Sequence, residues 1–298
     1  MQLDDLPFAT GAWRLALGLR PLQLQDWIKI DEHHVEQLLL RDRLMENRYD
    51  DVFAALPGSE PGQQEILDLL LSHLLQHFPQ HYQRQEGDIC NLMTGQRWRL
   101  ADGPPLELAG RLVQEDLCLM EPGDQGYVLT AAALCFPLRW RLREKIGLPL
   151  GAIHHHVPDY DRKLERPVDS VFDRLKPDYP GCRLNWSIVD APDLFLDQPK
   201  HQQRPNSDIT VHNAGDRLWI RAERQTLRRL THTGGVLFTI HTEVEPLRVF
   251  SGRPRLAQNL AIAIQKIPQA MQIYKNLPTI QSALLGYLEQ ISGADTPQ

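Results

Sequence analysis

Apolar residues recur at intervals of three and four at both ends of the chain, which is the spacing of an amphipathic α-helix. The pattern predicts a helix over residues 24–53, broken near Asp31, and a second helix over residues 66–75 after a segment rich in proline and glycine. Towards the other end it predicts helices over residues 256–267 and 280–288. Both terminal regions are therefore expected to be helical.

The middle of the chain has a different pattern, in which short runs of β-branched and aromatic residues are separated by glycine and proline. These runs predict strands over residues 127–136, 183–189, 209–212, 218–223 and 235–242. The pattern also predicts a short helix over residues 167–175, a long loop over residues 198–208 and a polar tail from Ser292. Helices at both ends of a strand-rich middle are typical of an α+β fold.

The composition is that of a soluble globular protein. Its 298 residues are 42% hydrophobic and 23% charged, which excludes a disordered or fibrous chain. The 32 basic and 38 acidic residues give a formal net charge of −6, which disfavours sequence-independent binding of nucleic acid. No apolar run approaches the roughly 20 residues that span a bilayer, and the first residues do not resemble a secretory signal. We expect a protein of the reducing cytoplasm that binds neither nucleic acid nor membranes.

The usual catalytic and redox motifs are missing from the sequence. The four cysteines form no C-x-x-C pair, which excludes zinc ribbons, iron–sulfur clusters and thioredoxin-type redox sites. The glycine-rich loops of nucleotide and dinucleotide sites, the nucleophile elbow of serine hydrolases and the H-E-x-x-H helix are absent as well. A redox reaction in this protein would therefore take its electrons from a separate reductase.

Two groups of adjacent polar residues can carry chemistry. Glu115 and Asp116 can act as general acid and base if they are buried in a cleft, but such a pair more often lies at the surface or caps a helix. The run His154, His155 and His156 is followed by Val157 and Pro158. In an extended segment the first and third of these side chains point to one side and the second to the other. Imidazole binds transition metals and haem iron, but a solvated polar loop also explains the run.

A third group is rich in arginine. Arg221, Arg224, Arg228 and Arg229 lie close to Glu223 in the sequence, beside two predicted apolar strands. Guanidinium groups bind carboxylates through paired hydrogen bonds, as a haem propionate or an acidic partner would require. A solvated face with weak local ion pairs is the alternative, and these residues alone leave both open.

Taken together, these segments resemble the haem-dependent oxidative N-demethylase family. The resemblance is collinear from residue 7 to about residue 243, and its most specific parts are residues 153–160 and 223–230. The matching stretches are Pro7-Phe8, Leu17-Gly-Leu-Arg-Pro21, Asp26-Trp27, Asn91-Leu-Met-Thr-Gly95, Leu112-Val-Gln-Glu-Asp116, Cys135-Phe-Pro137, Lys145-Ile-Gly147, Ile153-His154, Val157-Pro158, Tyr160, Arg183, Asn185-Trp186-Ser187, Glu223-Arg-Gln-Thr-Leu-Arg-Arg-Leu230 and Phe238-Thr-Ile240.

The resemblance implies one haem-binding domain over residues 1–298. A helical N-terminal region (1–85) and C-terminal helices (251–298) would surround a strand-rich, PAS-like core with an antiparallel sheet (86–250). The implied activity is oxidation of an N-methyl group of a small secondary amine, such as dimethylamine, by a b-type haem that activates O₂, with release of formaldehyde. Electrons would come from separate flavin and iron–sulfur subunits.

The resemblance also implies roles for particular residues. His154 matches the family's histidine before the proline motif and becomes the candidate axial ligand of the haem iron. Arg224 and Arg228 become candidate partners of the haem propionates. Glu223 becomes the candidate catalytic residue, as the site for the cationic amine.

Three positions depart from the family pattern. His156 stands where the family usually has proline, so this loop gains a backbone N–H and a second imidazole that can compete with His154 for the iron. Thr231 replaces a proline, and Glu243 replaces a tyrosine, which would change the polarity of any pocket that this side chain lines. Two other functions remain open, namely a haem-based sensor of oxygen or redox state and a cofactor-free interaction protein.

Overall fold

The structure is a computed structural model that describes residues 2–197 and 206–293, and it combines helices with antiparallel sheet. The α-helices are α1 (His34–Asn47), α2 (Tyr49–Val52), α3 (Glu60–His77), α4 (Pro105–Leu112), α5 (Leu150–His154), α6 (Tyr160–Lys163), α7 (Glu165–Arg174), α8 (Ala214–Arg217), α9 (Pro254–Lys266), α10 (Gln269–Tyr274) and α11 (Gln281–Gly293). The strands are β1 (Arg20–Pro21), β2 (Phe53–Ala55), β3 (Tyr82–Gln85), β4 (Asp88–Asn91), β5 (Arg97–Arg99), β6 (Asp116–Gly123), β7 (Gly126–Ala133), β8 (Gly181–Val189), β9 (Trp219–Arg229) and β10 (Val236–Pro246).

Seven strands form one antiparallel sheet in the order β1-β8-β9-β10-β6-β7-β2, and β3, β4 and β5 form a small separate sheet. Strands β8, β9 and β10 are long and paired without a register shift. Glu223 therefore lies beside Asn185 and Thr242, and Arg224 lies beside Leu184 and His241. Because neighbouring residues of a strand point to opposite faces, these two sets lie on different faces of the sheet.

The face that carries Arg224, here called the terminal-helix face, is covered by helices from both ends of the chain. Near β6 and β7, buried residues of α3 and α4 such as Leu70 pack with Leu117 of the sheet. Near β8 and β9, buried residues of α9 and α11 such as Leu260 pack with Ile220. The hydrophobic stripes of the terminal helices are therefore buried against a single sheet, which explains why both ends of the sequence show helical periodicity.

The face that carries Glu223, here called the central-helix face, is covered by α5, α6 and α7. Leu150, Tyr160 and Phe172 from these helices pack with Leu129 and Leu227 of the sheet. This apolar packing is concentrated towards β6 and β7, whereas polar side chains accumulate at the β8 and β9 end. The candidate site lies in that polar part.

The structure confirms the α+β class and most of the predicted elements. The strands predicted over residues 127–136, 183–189, 218–223 and 235–242 correspond to β7, β8, β9 and β10. The helix predicted over residues 167–175 is α7, and the terminal helices are α1, α3, α9 and α11.

Two predicted elements are wrong. Residues 209–212 are not a strand, because the Asn213 side chain accepts a hydrogen bond from Thr210 N at 2.8 Å and the chain turns there into α8. The first helix does not begin at Leu24, since regular helix starts only at His34, after a loop that turns near Asp31.

Two predicted segments lie partly outside the described residues. They are the loop over residues 198–208, of which only residues 206–208 are described, and the polar tail from Ser292, which is described only as far as Gly293. Within the described part of the chain, no helix is long and apolar enough to cross a membrane.

Candidate functional site

Alternation along β9 divides the arginine-rich cluster. Arg221 and Glu223 lie on the central-helix face, together with Arg229, whereas Arg224 and Arg228 lie on the terminal-helix face. The five charged side chains therefore do not form one binding surface. Each face has to be considered separately.

Glu223 is the centre of the polar part of the central-helix face. Its Oε2 accepts hydrogen bonds from Asn185 Nδ2 at 3.2 Å and from Gln225 Nε2 at 2.8 Å, and its Oε1 lies 3.5 Å from Arg221 Nε. The residue is only 8% exposed. On the neighbouring strand, the buried hydroxyl of Thr242 has no hydrogen-bond partner in the described structure. The sheet thus presents a buried, oriented carboxylate next to an unsatisfied hydroxyl.

A cleft adjoins Glu223 through Asn185, which is one of its lining residues together with Ser187 and Lys275. Lys275 follows α10, and its Nζ donates a hydrogen bond to Trp186 O at 2.9 Å. Burial lowers the pKa of Lys275 to about 8, although the nearby Glu223 carboxylate opposes this shift. The cleft therefore has a lysine whose charge is sensitive to its surroundings.

His154 is the last residue of the short helix α5, so the side-chain alternation of an extended segment does not apply to it. Its Nδ1 lies 2.9 Å from Leu150 O, one helical turn back, and its ring stacks on Tyr160 with ring centres 4.7 Å apart and planes inclined by 10°. Since a carbonyl can only accept, Nδ1 carries the proton and Nε2 keeps its lone pair. Burial lowers the pKa of His154, which favours the neutral ring.

The other two histidines of the run are exposed to solvent. His155 Nδ1 is bonded to Ala152 O at 2.8 Å, and the rings of His155 and His156 lie against each other with centres 3.5 Å apart. Neither packs into the protein as His154 does. The structure thus sets His154 apart from its two neighbours.

Arg183 connects His154 to Glu223 electrostatically. Burial lowers the pKa of Arg183, while Glu223 and Tyr160 partly counteract this shift, and the same guanidinium contributes to the lowered pKa of His154. Two buried polar atoms here, Arg183 Nε and Tyr160 Oη, have no hydrogen-bond partner among the described residues. Such orphaned polar atoms are rare in folded proteins, so each of these two needs an explanation.

Arg224 and Arg228 are engaged on the opposite face. Arg224 donates hydrogen bonds to the backbone oxygens of Asp26 and Trp27, the latter at 3.1 Å, and the Arg228 guanidinium lies over the Trp27 ring at 4.4 Å from its centre. The structure therefore brings His154 and Glu223 to one face of the sheet but does not bring Arg224 and Arg228 to them.

The expectation that Glu115 and Asp116 lie at the surface is wrong, because both are wholly buried. Glu115 Oε1 lies 3.3 Å from His241 Nδ1, and the other ring nitrogen, Nε2, lies 3.0 Å from Asp31 Oδ2. Glu243 belongs to the same terminal-helix face and therefore does not line the pocket around Glu223.

Sequence reasoning missed two residues of this site. Arg183 occurs in a predicted strand at a two-residue interval from Asn185, so period-two alternation could have placed both on the face of Glu223. Lys275 gave no such signal, because it is 52 residues from Glu223 in sequence (275 − 223 = 52) and reaches the cleft only through the packing of the C-terminal helices.

The fold and the site together define an α+β protein in which an imidazole from α5 lies on the same side of the antiparallel sheet as an unsatisfied guanidinium on β8 and a buried carboxylate on β9. The model of one protein family matches residues 18–285, and its description is "Haem-dependent oxidative N-demethylase, alpha subunit-like". The chain belongs to this family. The family name points to a haem-dependent oxidoreductase, and the words "alpha subunit-like" point to an assembly with other subunits.

Proposed function

We propose that this chain is the haem-binding, oxygen-activating subunit of an oxidative N-demethylase. In this proposal the central-helix face is a PAS-like pocket for a b-type haem and a small secondary N-methylamine, and formaldehyde is a product. The whole chain acts as one haem-binding domain in the cytoplasm. Separate flavin and iron–sulfur subunits supply the electrons, in line with the absence of reductase motifs from this sequence.

The orientation of His154 carries the proposal. An imidazole that ligates haem iron uses an unprotonated nitrogen, while its other nitrogen donates a hydrogen bond that fixes the ring. His154 meets both conditions, since Nδ1 is bonded to Leu150 O and the ring is held against Tyr160. His156 is solvent-exposed, so we propose His154 as the axial ligand.

The unsatisfied polar atoms near His154 fit the rest of a haem. Propionates need cationic partners that are not already engaged, and Arg183 has a buried Nε without a hydrogen-bond partner in the described structure. Arg224 binds backbone oxygens, and Arg228 lies over an indole ring with its Nε likewise unpartnered in the described structure, but both lie on the opposite face of the sheet from His154. We therefore propose Arg183 as the propionate partner in place of those two residues. When bound, the haem iron supplies the activation of O₂.

Glu223 is proposed to bind the protonated amine. Its carboxylate is buried and held by Asn185 and Gln225, so it needs no reorganisation to accept a hydrogen bond from an ammonium group. Arg221 offsets part of its charge at 3.5 Å, which allows the carboxylate to remain buried without ligand. A small secondary amine presents two N–H groups to such a site.

An absorption spectrum of protein expressed with adequate haem tests the cofactor assignment. We expect a Soret band in the wild type and in His156→Ala, and its loss or shift in His154→Ala. The two variants remove the same side chain two residues apart, so His156→Ala controls for the substitution itself. A colourless wild type contradicts the proposed function, and a shift confined to His156→Ala contradicts the ligand assignment.

Turnover tests the reaction. With an external electron donor and O₂, we expect formaldehyde from a panel of secondary N-methylamines that includes dimethylamine. Glu223→Gln should raise KM for the amine about 10- to 100-fold without changing the haem spectrum, because a charged hydrogen bond contributes about 1.5–3 kcal/mol. Glu245→Gln, on the other face of the sheet, is the matched control. A red protein that turns over no amine in the panel contradicts the proposal and favours the alternative of a haem sensor.

A further inference from the structure

A second polar cluster lies on the terminal-helix face, away from His154 and Glu223. It contains Asp31 in the loop before α1, and His241 and Glu243 on β10. One potential ligand atom from each of these three residues lies within 4.8 Å of the others. Asp31 Oδ2 and His241 Nε2 are 3.0 Å apart, which is the separation of two adjacent ligands on one metal ion when the bonds are about 2.1 Å long.

We propose that Asp31, His241 and Glu243 form a binding site for a divalent metal ion, distinct from the site around His154. His241 provides Nε2, and the two carboxylates provide one oxygen each. One imidazole with two carboxylates suits ions such as Mn²⁺ and Zn²⁺, which accept mixed nitrogen and oxygen ligands. The metal would take the place of the proton between His241 and Asp31.

Glu115 is the independent observation that supports a metal. Its carboxylate is wholly buried, its Oε1 lies 3.3 Å from His241 Nδ1, and its Oε2 has no hydrogen-bond partner in the described structure. His241 Nδ1 is also buried without one. Histidines that bind metal through one nitrogen regularly direct the other towards a carboxylate, which fixes the ring and strengthens the ligand. Glu115 is placed for that role.

Lys29 is a cation that lies beside two of the proposed ligands. Its Nζ lies 2.5 Å from Glu243 Oε1 and 4.0 Å from Asp31 Oδ2, between two of the proposed ligands. The Lys29 side chain is 39% exposed, so it can swing into solvent and open a path to the site. A divalent ion at this site would displace the Lys29 ammonium and the proton between His241 and Asp31, so its two charges would replace those of two single cations.

Metal content after dialysis of the haem-loaded protein against Mn²⁺ or Zn²⁺ tests the proposal, because manganese and zinc are counted separately from haem iron. We expect one equivalent per wild-type chain. Asp31→Asn and Glu243→Gln should abolish binding, and Glu115→Gln should weaken it about 10- to 100-fold. Lys29→Met should tighten binding about tenfold, because it removes a competing cation. Asp51→Asn changes a surface carboxylate of the Arg48 ion pair and should bind as the wild type does.

Two results would overturn the proposal. The first is a wild-type protein that takes up neither ion at millimolar concentration. The second is uptake that persists unchanged in both Asp31→Asn and Glu243→Gln, which would locate the ion elsewhere. Urea denaturation of each variant, compared with the wild type, shows that a loss of binding does not come from unfolding.

Discussion

Asp116 is a wholly buried carboxylate that is nevertheless completely partnered. It accepts hydrogen bonds from the backbone N–H groups of Cys135 and Phe136 and from Arg41, whose guanidinium also binds Gly110 O and Gln114 O. A buried ion pair is tolerated only when such additional hydrogen bonds compensate for the lost hydration. Residues that look like solvated surface in the sequence can therefore be interior when their partners come from distant segments.

The ionisation of His241 should make stability depend on pH. Burial alone would lower the pKa of His241, but the Asp31 and Glu115 carboxylates outweigh it and raise the pKa to about 9. The pKa of His241 is higher in the folded protein than in the unfolded chain, where it is 6.5, so protonation of His241 stabilises the native state. This stabilisation is complete below pH 6.5 and is lost as the pH rises through 9. The pKa of Asp31 is lowered in the folded protein, so its contribution to the free energy of unfolding is lost only in acid.

We expect the free energy of unfolding of the wild type to fall by about 2–3 kcal/mol more than that of His241→Gln between pH 6.5 and pH 9. Urea denaturation with a chelator in every buffer measures the difference without metal ions. Equal pH dependence in the two proteins would show that His241 is not charged in the native state.

At the scale of elements, close packing between α4 and β7 depends on a glycine. A Cβ atom at Gly110 would lie 2.6 Å from the Cβ of Ala133 and 3.2 Å from Met45 Cε. Methionine can yield, but a Cβ on the sheet moves only with its backbone. The glycine therefore sets the distance between helix and sheet, and the small side chains of Ala131 and Ala133, which lie on the same face of β7, allow the same close packing.

Gly110→Ala should destabilise the protein by about 1–3 kcal/mol, although alanine is the better helix former by about 0.5–1 kcal/mol. The free-energy cost of overpacking is larger than the gain in helix propensity, because the Cβ of Ala133 cannot move without its backbone. The double variant Gly110→Ala with Ala133→Gly removes the clash and should recover part of the loss. Chemical denaturation of the three proteins measures these changes, and a more stable single variant would show that helix and sheet separate easily.

At the scale of the whole molecule, one sheet unites both ends of the chain. Phe8 is wholly buried, and its ring packs at 5.2 Å from Trp186 on β8 and at 6.0 Å from Phe250. Asn259 and Lys266 of α9 bind the backbone oxygens of Ala9 and Gly11. The N-terminal segment is thus fixed between the sheet and the C-terminal helices.

Because helices from both ends of the chain pack on this sheet, we expect one cooperative unfolding transition. Phe8→Ala in the core of the C-terminal helices and Leu70→Ala in the core of the N-terminal helices should each cost about 2–5 kcal/mol. Both should shift the same transition, measured by circular dichroism and by tryptophan fluorescence. Separate transitions, one sensitive to each variant, would show that the chain contains two folding units.

The sequence by itself determined the α+β class, the terminal helices and the long strands, because the periodicity of apolar residues reports directly which side of each element is buried. The sequence also supported the family assignment and indicated His154 and Glu223, because the motifs that contain these residues consist of consecutive positions in the chain. The tertiary structure alone separated Arg224 and Arg228 from them, since a shift of one residue along a strand changes the face. It alone brought Arg183 and Lys275 to the site around Glu223, and Asp31 to His241 and Glu243 on the opposite face, because the contacts that define such sites join residues far apart in the chain.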